Sequence, residues 1–380
     1  MIKRLSFIKA GVVAVLTIAT LYCLTSTYSL AHACSRASGT LNHRDVIPNR
    51  VHYVHIMPDN PSSDIRLEFK HFLSIYSASL YFQPDVIYIH TDATYDSIER
   101  AQAGSFATAP DKWARLILNL PSVVIRHVSA PETASGSGIA ITRIEHKSDF
   151  IRTKVVYEHG GMYMDWDVYA LRDVKPLREL GFANVVGRQK LGAVNSGCWM
   201  SRKGTRLMEL WVRDQHEVYT GGWTIHSNDL LSSLAEHNGD GGLLANLVER
   251  LVPMKKEVLI LDRMAFAPSS WELEDAKKLF ERHPAEVVES SLSATAVGIG
   301  EDARVRWDNR DKKHFLSWEI DYSGSYVLHA FKATHNQKIE GFDPEGITIK
   351  YVLSRDSNFA SAVYPALKHA IDAGIISVDD

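Results

Sequence analysis

From residue 47 onward, short apolar runs rich in β-branched residues alternate with stretches of helical spacing, and this alternation restricts the chain to a layered α/β architecture. Residues 51–56, 86–90 and 123–128 read as strands, the first two following Pro48 and Pro84-Asp85, and residues 65–81 carry helical spacing between them. A helix is expected from about Ser148 to His159, closed by Gly160-Gly161, and then a strand from Tyr163 to Val168. Residues 184–187, 197–201, 258–261 and 326–331 add strands, and residues 205–219 a further helix. In such a fold, ligands bind where strand ends meet loops.

The 380 residues are 45% hydrophobic and 23% charged, enough apolar material for a sizeable core and too much for general disorder. The formal net charge is -3 and the basic residues are scattered, so there is no electrostatic footprint for nucleic acid, which is excluded as a partner. Of the three cysteines, Cys23 lies in the apolar leader, and Cys34 and Cys198 allow at most one intrachain disulfide. The fold therefore has to rest on packing.

The N-terminus differs in kind from the rest. Lys3, Arg4 and Lys9 precede an apolar run from Ala10 to Leu24. Extended back to Phe7, a helix here would span roughly 27 Å at about 1.5 Å per residue, enough for a thin bilayer. This reads as an export signal retained as a membrane anchor: a tail (1–6), a signal-anchor or signal peptide (7–25), a polar stem (26–46) and one catalytic domain (47–380). The basic flank places that domain in the lumen of the secretory pathway, as a type II Golgi-like membrane protein. The alternative is cleavage after Ala33, within Ala31-His32-Ala33, and release of a soluble protein.

The segment richest in chemistry runs from Ser148-Asp149-Phe150-Ile151-Arg152 to Gly160-Gly161-Met162-Tyr163-Met164-Asp165-Trp166-Asp167. In an extended strand, Met162, Met164 and Trp166 share one face and Tyr163, Asp165 and Asp167 the other. Two carboxylates projecting together suit Mn²⁺ or Mg²⁺, which bind carboxylate, water and substrate phosphate oxygens. A lone Asp-x-Asp arises by chance and by default is a solvated turn. Asp149 and Arg152, at i and i+3, share a helix face, where a surface ion pair is the plain alternative.

This run resembles the donor-site signature of the DXD-containing sugar transferases, a family that includes fungal initiating α-mannosyltransferases, α-galactosyl- and α-N-acetylglucosaminyltransferases and the glucosylating clostridial toxins. Residues 47–55 resemble the family's opening strand, Asn195-Ser196-Gly197 with the helix that follows its second block, and Tyr326-Val327-Leu328-His329 a degraded late histidine block. The resemblance implies a GT-A-like, Rossmann-related central mixed sheet flanked by helices. It implies an enzyme, a hexosyltransferase that retains anomeric configuration, moving a sugar from a UDP- or GDP-sugar to a glycan, glycolipid or glycoprotein acceptor. By the same resemblance Asp165 and Asp167 hold the metal and the donor diphosphate, Asp149 and Arg152 contact donor sugar and phosphates, and Val54, His55, Tyr163 and Asn195 line the donor site. His55 stands where relatives often carry a tryptophan that stacks on the base.

Two later segments supply further candidates. His329 could complete the metal or diphosphate site, against the plainer reading of a satisfied core histidine. His226, Asn228 and Asp229 could face the acceptor or the reacting sugar, although capping of the following helix explains His226 and Asp229 equally well. A binding protein of the same fold without turnover, and a metal-dependent phosphoesterase that hydrolyses the donor, are the competing function classes.

Overall fold

The computed structural model describes residues 46–58, 60–105, 112–237, 257–283, 317–331, 339, 342 and 346–380. The expected tail and leader, all but the last residue of the stem, and Cys23 and Cys34 lie outside the described residues. Among the described residues no helix is long and apolar enough to cross a membrane.

The alternation of strand and helix holds. Strand β1 (Arg50–His55) leads through helix α1 (Phe69–Phe82) to β2 (Val86–Thr91), and helices α2 (Tyr95–Ala103) and α3 (Lys112–Leu118) lead to β3 (Val123–His127). Helix α4 (Ile144–His159) then precedes β4 (Gly161–Met164), β5 (Val168–Ala170), helix α5 (Lys175–Arg178) and the hairpin of β6 (Asn184–Arg188) and β7 (Val194–Ser201). After helix α6 (Arg206–Val218) come α7 (Leu230–His237), β8 (Val258–Leu261), α8 (Arg263–Phe266), α9 (Leu273–Phe280) and β9 (Val327–His329). Helices α10 (Ile349–Ser354) and α11 (Asn358–Asp372) close the chain.

Seven strands form one mixed sheet in the order β3-β2-β1-β4-β7-β6-β8, with only β7 running against the rest. Strands β5 and β9 pair antiparallel in a separate ribbon. Helix α1 supplies Phe72, Leu73 and Ile75 to the core on one face, shared with Val51, Tyr53, Met162 and Met164. Ile151, Val155 and Val156 of α4 pack on the other face with Val54, Tyr163, Trp199 and Trp211. The chain thus leaves β1 toward one face and enters β4 from the other. The crevice between their carboxyl ends is the switch point where ligands bind in sheets of this kind.

Two differences from the expected elements bear on the site. Helix α4 starts at Ile144 instead of Ser148, because Ile144 packs on the core and His146 bonds the Tyr219 hydroxyl at 2.9 Å, which adds a turn. Asp149 and Arg152 therefore sit inside the helix. The strand expected over 163–168 ends at Met164; Asp165 to Asp167 form a turn, closed by Val168 N–H donating to Asp165 O at 3.1 Å, and β5 begins after it. The glycines before β4 are required sterically. Gly160 and Gly161 have φ of 65° and 125°, and a Cβ at either would lie 2.6 Å from backbone, at Lys203 N and Arg50 O respectively.

Candidate metal and donor site

The two aspartates converge, by a route other than strand alternation. Asp165 leaves the end of β4, its backbone N–H held by Gly197 O at 2.8 Å, and the turn swings Asp167 back beside it. The ribbon of β5 and β9 brings in the third group. Its register sets His329 opposite Val168, and His329 Nε2 lies 3.3 Å from Asp167 Oδ1. One potential ligand atom from each of Asp165, Asp167 and His329 falls within 4.8 Å of the others, the one such cluster of three among the described residues. The side chains of Asp165 and Asp167 stay 31% and 41% exposed, whereas His329 is buried.

The His329 tautomer follows from its neighbours. Gly197 N–H can only donate, and it donates to Asn195 Oδ1 at 2.8 Å, so the Asn195 amide is oriented with its oxygen inward. That oxygen also lies 3.2 Å from His329 Nδ1, which must therefore carry the proton. Nε2 faces the two carboxylates, at 3.3 Å from Asp167 Oδ1, the position from which it could join them in ligating a cation. Asn195 Nδ2 in turn donates to Gln189 Oε1 at 2.7 Å. Gly197 itself is demanded by crowding, since a Cβ there would lie 2.5 Å from His329 Cε1 and 2.7 Å from Asp165 Oδ2.

Behind the aspartates lies a buried charge network. Arg152 Nη1 donates to Asp165 Oδ1 at 3.3 Å, and Nη2 donates to Ser196 Oγ at 2.7 Å and to Asp149 Oδ1. Asp149 Oδ2 lies 2.8 Å from His226 Nε2. The guanidinium also sits over the Tyr163 and Trp199 rings, at 5.3 and 5.8 Å. Burial by itself would lower the pKa of Arg152, but Asp149 and Asp165 hold it above the ordinary value. Tyr163 O–H donates to Asp165 Oδ1 at 2.6 Å. Burial raises the Asp165 carboxyl, against the pull of Arg152. Burial acts on Asp167 in the same sense, yet His329 keeps its carboxyl below the usual value.

Several candidates take a different place from the expected one. Asp149 and Arg152 form a buried pair instead of a helix-surface pair, and both terminal nitrogens of Arg152 are bonded to protein. Tyr163 is 1% exposed, so it orients Asp165 instead of facing a ligand. The Val54 side chain is in the core, and only its carbonyl reaches the site, accepting from Trp166 Nε1 at 2.8 Å. His55 stays half-buried at the crevice mouth, edge-on to Trp166 at 6.3 Å, and burial lowers its pKa to about 4.

His226 and Asn228 belong to a π-helical turn, Ile225–Asp229, packed behind the site. His226 is fully buried against Asp149. Asn228 Oδ1 accepts from Ser196 N–H at 3.0 Å, and its Nδ2 donates to Gln189 at 3.3 Å. Asp229 instead takes a 2.8 Å hydrogen bond from Thr224 Oγ1 and is not drawn to the aspartates. Gln189, which joins Asn195 to Asn228, carried no signal in the sequence; it sits in a hairpin connection whose role only the folded chain defines.

Residues 74–187 match a family model described as the glycosyltransferase sugar-binding region containing DXD motif. No curated protein matches the sequence. Among solved structures, the chain is similar to the PaToxG glycosyltransferase, with TM-score 0.37 and 17% identity over 54% of this chain and 76% of that one. The apo glycosyltransferase GlyE of Streptococcus pneumoniae TIGR4 aligns with TM-score 0.35 and 11% identity, over 87% of this chain and 65% of that one. Galactosyltransferase LgtC in complex with donor and acceptor sugar analogues aligns with TM-score 0.30 and 13% identity, over 74% and 86%. None of the three reaches a TM-score of 0.5, so the chemistry rests on the side chains. The matched stretch includes Asp149, Arg152, Asp165 and Asp167, so residues 74–187 of this chain are similar to the DXD-containing sugar-binding region of glycosyltransferases.

Proposed function

We propose that the protein transfers a hexose from a UDP- or GDP-sugar to a glycan, glycolipid or glycoprotein acceptor, with retention of anomeric configuration, in a metal-dependent site on a GT-A-like fold. The observation that carries this reading is the convergence of Asp165, Asp167 and His329 at the carboxyl edge of the sheet. Two carboxylates and one imidazole nitrogen fit Mn²⁺ better than Mg²⁺, which favours an all-oxygen shell. Bound there, the ion would act as a Lewis acid toward the donor diphosphate, offsetting the negative charge that grows as the anomeric bond breaks.

The chain's own groups prepare that event. Tyr163 and Arg152 fix Asp165, and Asn195 fixes the His329 tautomer. Arg152 acts through Asp165 and as a buried positive charge, held by Asp149 and Ser196. It costs no reorganisation when charge develops. His55 and Trp166 offer apolar and aromatic surface at the crevice mouth for the base. The N-terminal leader supports a lumenal, membrane-anchored location, with release after Ala33 as the alternative.

A panel of sugar nucleotides with purified protein and Mn²⁺, scored for nucleotide release, tests the reading with Asp167→Ala as control. Release should require Mn²⁺ and one donor, and should fall at least a hundredfold in the control. Equal release by parent and control would show that the site is misassigned. Free sugar in place of a glycosylated product, with acceptor present, would favour donor hydrolysis.

A further inference from the structure

Three half-buried aromatic rings meet at the mouth of the crevice, each from a different segment. Trp166 stands between the two aspartates of the turn, its indole against Tyr53 at 4.6 Å and its Nε1 tied to Val54 O. His55 ends β1 and lies edge-on to that indole. His71, in the first turn of α1, meets the same indole edge-on, at 5.4 Å and an interplanar angle of 77°. His55 and Asp167 are both close enough to act on the charge of His71. Nothing in the sequence marks this histidine, which falls within the helical spacing of residues 65–81.

A backbone group settles the protonation of His71. Glu68 N–H can only donate, and it donates to His71 Nδ1 at 2.8 Å, closing a reciprocal cap in which the Glu68 carboxylate takes the His71 N–H. Nδ1 therefore gives its lone pair to the cap, and the ring carries its proton on Nε2. A protonated nitrogen cannot ligate, so His71 is not a fourth cation ligand beside Asp165, Asp167 and His329. Nε2–H has no hydrogen-bond partner among the described residues, and unlike the sealed ring nitrogens of His90 and His226 it stays open to solvent.

A fixed donor framed by aromatic rings sets two demands on an occupant. It must offer flat apolar surface to His55 and Trp166, and an acceptor at its edge to His71. Inorganic diphosphate meets only the second demand, whereas a nucleobase with a ring carbonyl meets both. We propose that His71 reads the donor nucleotide, its Nε2–H donating to a carbonyl oxygen of the base that lies against His55 and Trp166. The inference rests on the donor reading above and adds the group that recognises the base. Uracil and guanine both present such an oxygen, and adenine presents an amino group in its place. His71 therefore selects against adenine nucleotides.

The test is calorimetric titration of the full chain in Mn²⁺ with UDP, GDP, ADP and inorganic pyrophosphate, on the parent, His71→Asn and His71→Gln, with Tm recorded. Asn sets its amide oxygen where Nδ1 stood and keeps the cap; Gln sets its amide N–H where Nε2–H stood and gives up the cap. UDP or GDP should bind the parent more tightly than ADP. His71→Asn should weaken that nucleotide about three- to tenfold, as the loss of one neutral hydrogen bond does, with Tm and pyrophosphate binding unchanged. His71→Gln should lower Tm, through the lost cap, yet hold the nucleotide within about twofold of the parent. Four results would each overturn the inference and leave the donor reading standing: ADP binding as tightly as the better of UDP and GDP, equal nucleotide affinity in the parent and His71→Asn, an equal loss for pyrophosphate, or a larger loss in His71→Gln than in His71→Asn. Binding of neither UDP nor GDP by the parent would bring down the donor reading and the inference with it.

Discussion

Gly197→Ala tests the site without touching a proposed ligand. The added Cβ would lie 2.5 Å from His329 Cε1, 2.7 Å from Asp165 Oδ2 and 3.0 Å from Asn195 Oδ1. Ordinary contact with carbon begins near 3.5 Å, so the overlap at His329 is roughly 1 Å. Gly197 lies in the fully buried strand β7, its N–H holding Asn195 and its carbonyl holding Asp165. The softer partners are therefore the side chains, and the strain falls on the cation ligands. Overpacking of this kind costs about 1–3 kcal/mol. Expressed in cation affinity, that is a loss of roughly 5- to 150-fold. The assay is Mn²⁺ titration followed by electron paramagnetic resonance, with Tm recorded on the same samples. An unchanged Mn²⁺ dissociation constant, whatever Tm does, would refute the reasoning, because it would mean that the three groups do not hold the ion together.

Further outcomes follow from the buried network and the histidines. Asp149→Asn deprives Arg152 and His226 of their shared carboxylate and should destabilise the fold by about 3 kcal/mol in urea unfolding, as loss of one partner from a buried pair does; a change below about 1 kcal/mol would contradict the pairing. His52 holds a proton less tightly when folded, at about 4, than when unfolded, so stability is full above pH 6.5 and drains as pH falls from 6.5 toward 4. Between pH 7 and pH 5 that one group should remove about 2 kcal/mol. His52→Gln should flatten the slope of urea midpoint against pH, and equal slopes in both proteins would count against the burial argument. Alkaline carbonate extraction of membranes should leave the chain in the pellet, and recovery in the supernatant would rule out the anchor.

The sequence by itself determined the α/β alternation and the placement of most strands, and it singled out the stretch from Asp149 to Asp167 as the candidate site. These were legible because strand and helix periods, turn glycines and a carboxylate pair are local properties of the chain. Only the tertiary structure decided that Asp165 and Asp167 meet through a turn, that Arg152 is buried behind them, and that Tyr163 orients instead of contacting a ligand. It also decided the place of His329, which comes 162 residues after Asp167 and reaches it only because β9 pairs with β5. Gln189 and Asn228 are the same case. Their amides were unreadable until the backbone donors of Ser196 and Gly197 fixed which way the linked side chains face. A linear pattern records what each segment can form by itself, whereas ligand sets and hydrogen-bond directions depend on neighbours that folding brings together from far along the chain.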